Sequence, residues 1–155
     1  MAAAQQQVYF DDVAVGTTLP EREFGPHTLQ AAVRWAGVQE NLGLLHLDRE
    51  HVREHSGLKT IIASGALRQA MLTRMLTDWV GPRGRLRKLQ IRHRASTFEG
   101  DMHRYSAQVV EKSATAAEPW VVCEFEGHNQ DGEVIMTGKC TLSLPPRSLP
   151  PDRYA

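Results

Sequence analysis

Apolar positions at helical spacing mark two helices in the first half of the chain, and period-two alternation marks strands in the second. A strand is expected before the first helix. Thr28 is placed to N-cap a helix from Leu29 to about Val38, in which Ala32, Trp35 and Ala36 share one face. Residues 41–62 hold no long periodic run and are expected to form an irregular overhang with one short helix near Arg49–Glu54. Loops of this length inside compact domains are often functional. Gly65 to Val80 is the strongest helix, because Leu67, Ala70, Met71, Leu72, Met75, Leu76 and Trp79 leave few polar positions. A helix apolar on most sides is a buried one, and Gly81-Pro82 stops it.

The strands follow. Leu89, Ile91, His93 and Ala95 alternate with Gln90, Arg92, Arg94 and Ser96. Tyr105, Ala107 and Val109 alternate with Arg104, Ser106 and Gln108, and Cys123 and Phe125 with Glu124 and Glu126. Val134, Met136, Gly138, Cys140, Leu142 and Leu144 are expected on one face of the last strand, after a turn at Asp131-Gly132. One packed face per strand implies an antiparallel sheet, so the pattern alone gives an α+β chain. Residues 1–7 and the proline-rich 145–155 read as flexible tails, leaving a single domain over 8–144.

With 155 residues, 41% of them hydrophobic, the chain is long enough for one real core. Lys+Arg and Asp+Glu number 18 each. That neutrality argues against nucleic acid or anionic membrane as a partner and does little to oppose self-association. No apolar run approaches the roughly 20 residues of a membrane span, and the N-terminus lacks the basic and apolar regions of a signal peptide. The expected location is the cytoplasm, where Cys123 and Cys140 read as buried free thiols. His51 and His55 sit four apart, but no HExxH or cysteine pair accompanies them, so no metal site is expected.

The segment Glu40-Asn41-Leu42-Gly43-Leu44-Leu45-His46-Leu47-Asp48 changes the picture. It resembles the Gly-Asp-x-Asn-Pro-x-His-x-Asp signature of the MaoC-like (R)-specific enoyl-CoA hydratases, which are hot-dog proteins. Tyr9-Phe10-Asp11-Asp12 through Val15-Gly16, Trp35-Ala36, Ile62-Ala63-Ser64-Gly65, Leu76-Thr77-Asp78-Trp79, Ile91-Arg92-His93-Arg94 and Gly100-Asp101 are similar to further family stretches, in the family's order. The resemblance covers roughly Val8 to Leu144. It implies an antiparallel sheet wrapped around a central apolar helix, and a homodimer or larger assembly with sites at the interface.

It also implies chemistry. His46 stands on the family's catalytic histidine and Asn41 on its catalytic aspartate. Gly65 stands where a backbone N–H polarises the thioester carbonyl at the start of the central helix, and Thr73 on a serine that contacts the site. Gly43-Leu44 replaces Asn-Pro, and Ser64 replaces the histidine before the glycine. Hydrating a 2-enoyl thioester needs a base for water, a proton for the α-carbon and donors for the enolate oxygen. His46 can serve as base near neutral pH. Asn41 can orient a water but cannot accept its proton. Each of four residues also has a plainer reading: His46 as a packed or surface histidine, Asn41 as a turn residue or cap, Gly65 as a helix-start glycine and Thr73 as a core residue. Arg92 and Arg94 belong to a basic stretch that is either a solvated strand face or a contact for the coenzyme A phosphates.

The leading expectation is an acyl-CoA or acyl carrier protein-binding enzyme of the enoyl-CoA hydratase or 3-hydroxyacyl dehydratase type, a hydro-lyase of fatty-acid or steroid metabolism with an altered site. Coenzyme A enters as part of the substrate, and no other cofactor is expected. The rival is a catalytically silent acyl-binding subunit completing a dimer with a second MaoC-like chain. A third reading is a hot-dog thioesterase, which needs a carboxylate beside the thioester; Glu40 is the neighbour in sequence.

Overall fold

The computed structural model describes residues 6–114 and 118–148. A 3-10 turn at Phe10–Asp12 precedes a short strand β1 (Arg22–Phe24). Helices α1 (Leu29–Gln39), α2 (Leu44–Leu47), α3 (Arg49–His55) and α4 (Gly65–Val80) follow. Four long strands complete the chain: β2 (Arg85–His93), β3 (His103–Ser113), β4 (Trp120–His128) and β5 (Val134–Ser143). They form one five-stranded sheet in the order β1-β3-β4-β5-β2, antiparallel throughout. This is the hot-dog arrangement expected from the sequence.

Local chemistry sets the element boundaries. Thr28 caps α1, its hydroxyl accepting the Ala31 N–H at 3.1 Å. Ala32 and Ala36 are buried and Trp35 half-buried, so the expected face forms. Ser64 caps α4 by accepting the Leu67 N–H at 3.1 Å, and Gly81, at φ 76°, ends that helix in a conformation that favours glycine. At the β4–β5 turn the Asn129 side-chain oxygen accepts from Asp131 N and Glu133 N, while Gly132 takes φ 80°.

The core lies between α4 and one face of the sheet. Leu72, Met75, Leu76 and Val80 pack with Tyr105, Ala107 and Val109 of β3, Val121, Cys123 and Phe125 of β4, and Met136, Cys140 and Leu142 of β5. Cys123 and Cys140 face each other across β4 and β5 as buried free thiols. Their hydrogen bond, together with burial, pushes the Cys123 thiol up.

Three features depart from the sequence pattern. A register shift beside Gly127 and His128 breaks the alternation at the start of β5, so Ile135 is buried and Val134 exposed; the expected inner face holds only from Met136 onward. α4 is not enclosed on all sides: Ala66, Gln69, Arg74 and Thr77 are exposed along one flank. The edges of the expected tails are tied down. Gln7 donates to the Val80 carbonyl at 2.8 Å, Phe10 N–H to the Pro145 carbonyl at 3.0 Å, and Arg147 pairs with Asp12 at 2.6 Å. The rest of those tails, residues 1–5 and 149–155, lies outside the described residues.

Gly138 shows how tightly the sheet is closed. An ideal Cβ there would lie 1.9 Å from the Gln90 carbonyl oxygen of β2 and 2.6 Å from Phe125 Cζ. Overpacking at this point displaces backbone, which is expected to cost Gly138→Ala about 2 kcal/mol of stability. A urea midpoint unchanged from wild type would contradict the packing described.

Candidate active site

Two tight turns bring Asn41 and His46 together. α1 ends at Glu40, whose φ of 54° is left-handed, and the Asn41 N–H reaches back to the Ala36 carbonyl at 3.2 Å. The Asn41 side-chain oxygen then accepts the Gly43 N–H at 3.2 Å, closing a turn of the kind Asn readily forms. α2 begins one residue later, with His46 N–H on the Gly43 carbonyl at 3.0 Å. Asn41 Oδ1 and His46 Cδ2 lie 3.3 and 3.7 Å from the point a Gly43 Cβ would occupy. The glycine thus lets both side chains approach one spot.

The His46 ring is oriented by the backbone. Its Nδ1 lies 2.8 Å from the Ile62 carbonyl oxygen. A carbonyl only accepts, so Nδ1 carries a hydrogen, and in the neutral ring the lone pair is on Nε2. The partner segment is itself held: Ala63 N–H bonds the Thr97 carbonyl at 2.9 Å and Glu99 N–H the Ile61 carbonyl at 3.0 Å. Glu99 also grips Arg49 of α3 at 2.7 and 2.5 Å, and that guanidinium holds its carboxyl down at about 2. Asp48 caps α3 through the N–H groups of Glu50 and His51, so the overhang is pinned at both ends of α2.

A small cavity of about 10 Å³ lies among His27, Trp35, Asn41, His46, Ser64 and Leu67. That is close to the room one water molecule needs. None of its lining residues is a carboxylate. Glu40 is exposed and does not line it. Gly65 opens α4 just beside it, and the first N–H groups of a helix have no acceptor within the helix. The His93 ring packs on this glycine, with Nε2 only 3.1 Å from where a Cβ would sit. Burial, with the Arg68 charge, pulls the His93 ring down from its ordinary value.

The structure sorts the expected site residues into three places. Asn41, His46 and Ser64 share the cavity with the start of α4, although the Ser64 hydroxyl is occupied as a cap. Thr73 lies instead in a groove of about 430 Å³ along the open flank of α4, with Trp35, Gln39 and Arg74. Arg92 and Arg94 lie elsewhere again, lining a broad groove of about 890 Å³ with Glu124, Glu126, Thr137 and Lys139. There Thr137 sits opposite both Arg92 and Glu126 in the register, Arg94 donates to the Thr137 hydroxyl at 3.0 Å, and Lys139 pairs with Glu124 at 2.8 Å.

Three buried polar side chains escaped the sequence reading. His27 is 1% exposed and His103 0%, their rings 6.4 Å apart, and neither has a hydrogen-bond partner on either ring nitrogen among the described residues. Burial pushes His27 down and holds His103 at about 4. Arg68 is 5% exposed on α4 and donates to the Ala95 carbonyl at 2.8 Å. No local pattern signals that polar residues beside a turn or inside an apolar helix point inward. His51 and His55 stack at 4.5 Å on α3, and among the described residues no cluster of three metal-ligating side chains exists. No helix among them is long and apolar enough to cross a membrane.

No protein-family model matches the sequence, and no curated protein matches it. Solved structures do match. The (R)-hydratase PhaJ1 from Pseudomonas aeruginosa is 20% identical with a TM-score of 0.80, covering 96% of this chain and 97% of that one. A MaoC-like dehydratase from Rhodospirillum rubrum is 24% identical with a TM-score of 0.77, covering 92% and 99%. The ChsH1–ChsH2 complex from Mycobacterium tuberculosis matches at 22% identity and a TM-score of 0.75, covering 84% and 98%. The chain therefore has the hot-dog fold, in the form in which (R)-hydratases and MaoC-like dehydratases are built.

Proposed function

We propose that this chain is a MaoC-like hydro-lyase that adds water to, or removes it from, an acyl thioester carried on coenzyme A or an acyl carrier protein. One observation carries the reading: the Ile62 carbonyl fixes the His46 tautomer, leaving Nε2 as a base beside a water-sized cavity at the start of a 16-residue helix. In hydration, His46 Nε2 takes a proton from water as the oxygen bonds to the β-carbon of a 2-enoyl thioester. The thioester oxygen gains negative charge, which the Gly65 N–H and the positive end of α4 stabilise. The proton then passes from His46 to the α-carbon, and the reverse sequence dehydrates. The active form is a dimer or larger, which would also cover the open flank of α4 that carries Thr73. Arg92 and Arg94 reach a substrate only if a second chain brings one to their groove.

A second reading has its own support. The cavity holds no carboxylate, and the Asn41 oxygen is already bonded to Gly43 N–H. A subunit that binds acyl groups without turning them over, completed by an intact partner chain, fits that absence, and one structural neighbour is a two-component complex. The thioesterase reading loses ground, since Glu40 does not line the cavity.

Asn41→Asp separates the first two readings. A carboxylate accepts the Gly43 N–H as readily as the amide does, so the turn is expected to survive. A restored carboxylate beside His46 is expected to raise hydration of a short or medium trans-2-enoyl-CoA by about tenfold, below the usual contribution of one acid–base group. A rise from no activity marks the native chain as a binding subunit. A fall from measurable activity gives the amide a role of its own in positioning substrate.

A further inference from the structure

We propose that His27 is a second histidine of the same water site, accepting a hydrogen bond from the water that His46 deprotonates. The inference rests on the hydration reading above. It begins from the acceptors around the cavity: Asn41 already spends one lone pair of its side-chain oxygen on the Gly43 N–H, and its amide nitrogen only donates. A reacting water whose oxygen points at the substrate needs acceptors for both of its hydrogens. His46 Nε2 provides one. His27 lines the same cavity and provides the other.

The His27 side chain has no competing employment. It is 1% exposed, yet neither ring nitrogen has a partner among the described residues. An unsatisfied buried polar group is destabilising, so an imidazole kept in this state at the edge of a cavity is better explained by a molecule it binds than by packing. Its backbone is clamped on both sides. The His27 N–H bonds the Asp101 carbonyl at 2.8 Å, and the His27 carbonyl accepts the Gly100 N–H at 2.7 Å. The ring is thereby held at the cavity by the 97–101 turn rather than by its own side-chain bonds.

The charged neighbours suit the task. Burial lowers the His27 ring and so does His46 of α2, while Glu99 and Asp101 of the turn raise it. The His103 ring of β3, the remaining titratable neighbour, is itself held neutral at about 4 by burial, with His27 and Arg68 adding to the effect. The net direction is downward, which keeps a lone pair available on His27 at neutral pH. The step balances simply: the water O–H bond breaks, its proton goes to His46 Nε2 and then to the α-carbon, and the oxygen joins the β-carbon. His27 keeps its own proton throughout and only accepts the hydrogen bond of the O–H that becomes the product hydroxyl.

The test uses His27→Gln, which retains an acceptor, and His27→Phe, which retains none. Expected for His27→Phe is a fall in kcat of about 100-fold with KM within about threefold, and for His27→Gln a smaller fall. The acid limb of the wild-type kcat profile is expected to reflect two groups that must be neutral, and that of His27→Gln only one. Histidine-ring 15N chemical shifts give a readout that needs no turnover: the His46 ring signals are expected to shift when His27, which lines the same cavity, is replaced. Unchanged kcat and pH profile in folded His27→Phe overturn the proposal, as does a loss of melting temperature with kcat retained. If the wild type hydrates no enoyl thioester, the functional reading fails on its own; unmoved His46 ring signals then overturn the pairing of the two rings as well.

Discussion

His46→Gln is expected to lower hydration by about 100- to 10,000-fold, the usual contribution of a general acid–base group. Glutamine can still donate to the Ile62 carbonyl that His46 now bonds at 2.8 Å, so the tie between α2 and the 61–63 segment is preserved. That segment is also held by the Ile62 N–H on the Leu45 carbonyl at 3.3 Å and by the bonds of Ala63 and Glu99. The fold is therefore expected to be kept while the base is lost. The check is kcat on a trans-2-enoyl-CoA for both proteins at matched concentration, with circular dichroism to confirm folding. Activity retained in a folded variant would move the base elsewhere, and the His93 ring on Gly65 would be the next group to replace.

Lowering the pH from 7 to 4 is expected to remove about 3 kcal/mol of folding stability through His103 alone. The sign follows from burial. Desolvation holds the folded His103 at about 4 against 6.5 in the unfolded chain, with its neighbours His27 and Arg68 acting the same way. Between those values the unfolded state binds a proton that the folded state refuses, so stability rises with pH across that window and is lost as pH falls through it. His27, lowered for the same reason, adds in the same direction. Glu99 acts only below its ordinary range: its carboxyl, held at about 2 chiefly by Arg49, keeps its share of stability until pH drops under about 4.5. Urea midpoints measured at pH 7, 5.5 and 4 check this. A flat dependence between 7 and 5, or an identical slope in His103→Gln, would contradict it.

What was legible in the sequence was what local physics decides. Thr28 and Gly81 mark helix ends because caps act within one turn; Ser64 caps α4 without having been read as a cap. Asp131-Gly132 marks a hairpin because the turn needs a left-handed residue, and Gly132 supplies it. The inner face of β5 was legible from Met136 onward, where the pleat is regular, and failed at Val134 and Ile135, where a register shift inverts it. α2 escaped because four residues, Leu44–Leu47, are too short to show a period. Asn41 and His46 were paired by the family resemblance rather than by any local rule, and two tight turns bring both to one cavity. Thr73 was carried over by likeness and Arg92 and Arg94 were read from a basic stretch; their separation from the cavity depends on which flank of α4 and which groove they face, a three-dimensional matter. His27, Arg68 and His103 were invisible for the opposite reason. Each is polar in a place where polar residues usually face water, and only the tertiary packing turns them in.

The measurement closest to the central claim is a steady-state assay of the purified chain on trans-2-enoyl-CoA esters of graded length and branching, with the product resolved by configuration. The account expects formation of a 3-hydroxyacyl-CoA of one configuration and loss of turnover in His46→Gln. A folded chain that binds these thioesters yet turns over none of them, with or without Asn41→Asp, would contradict it.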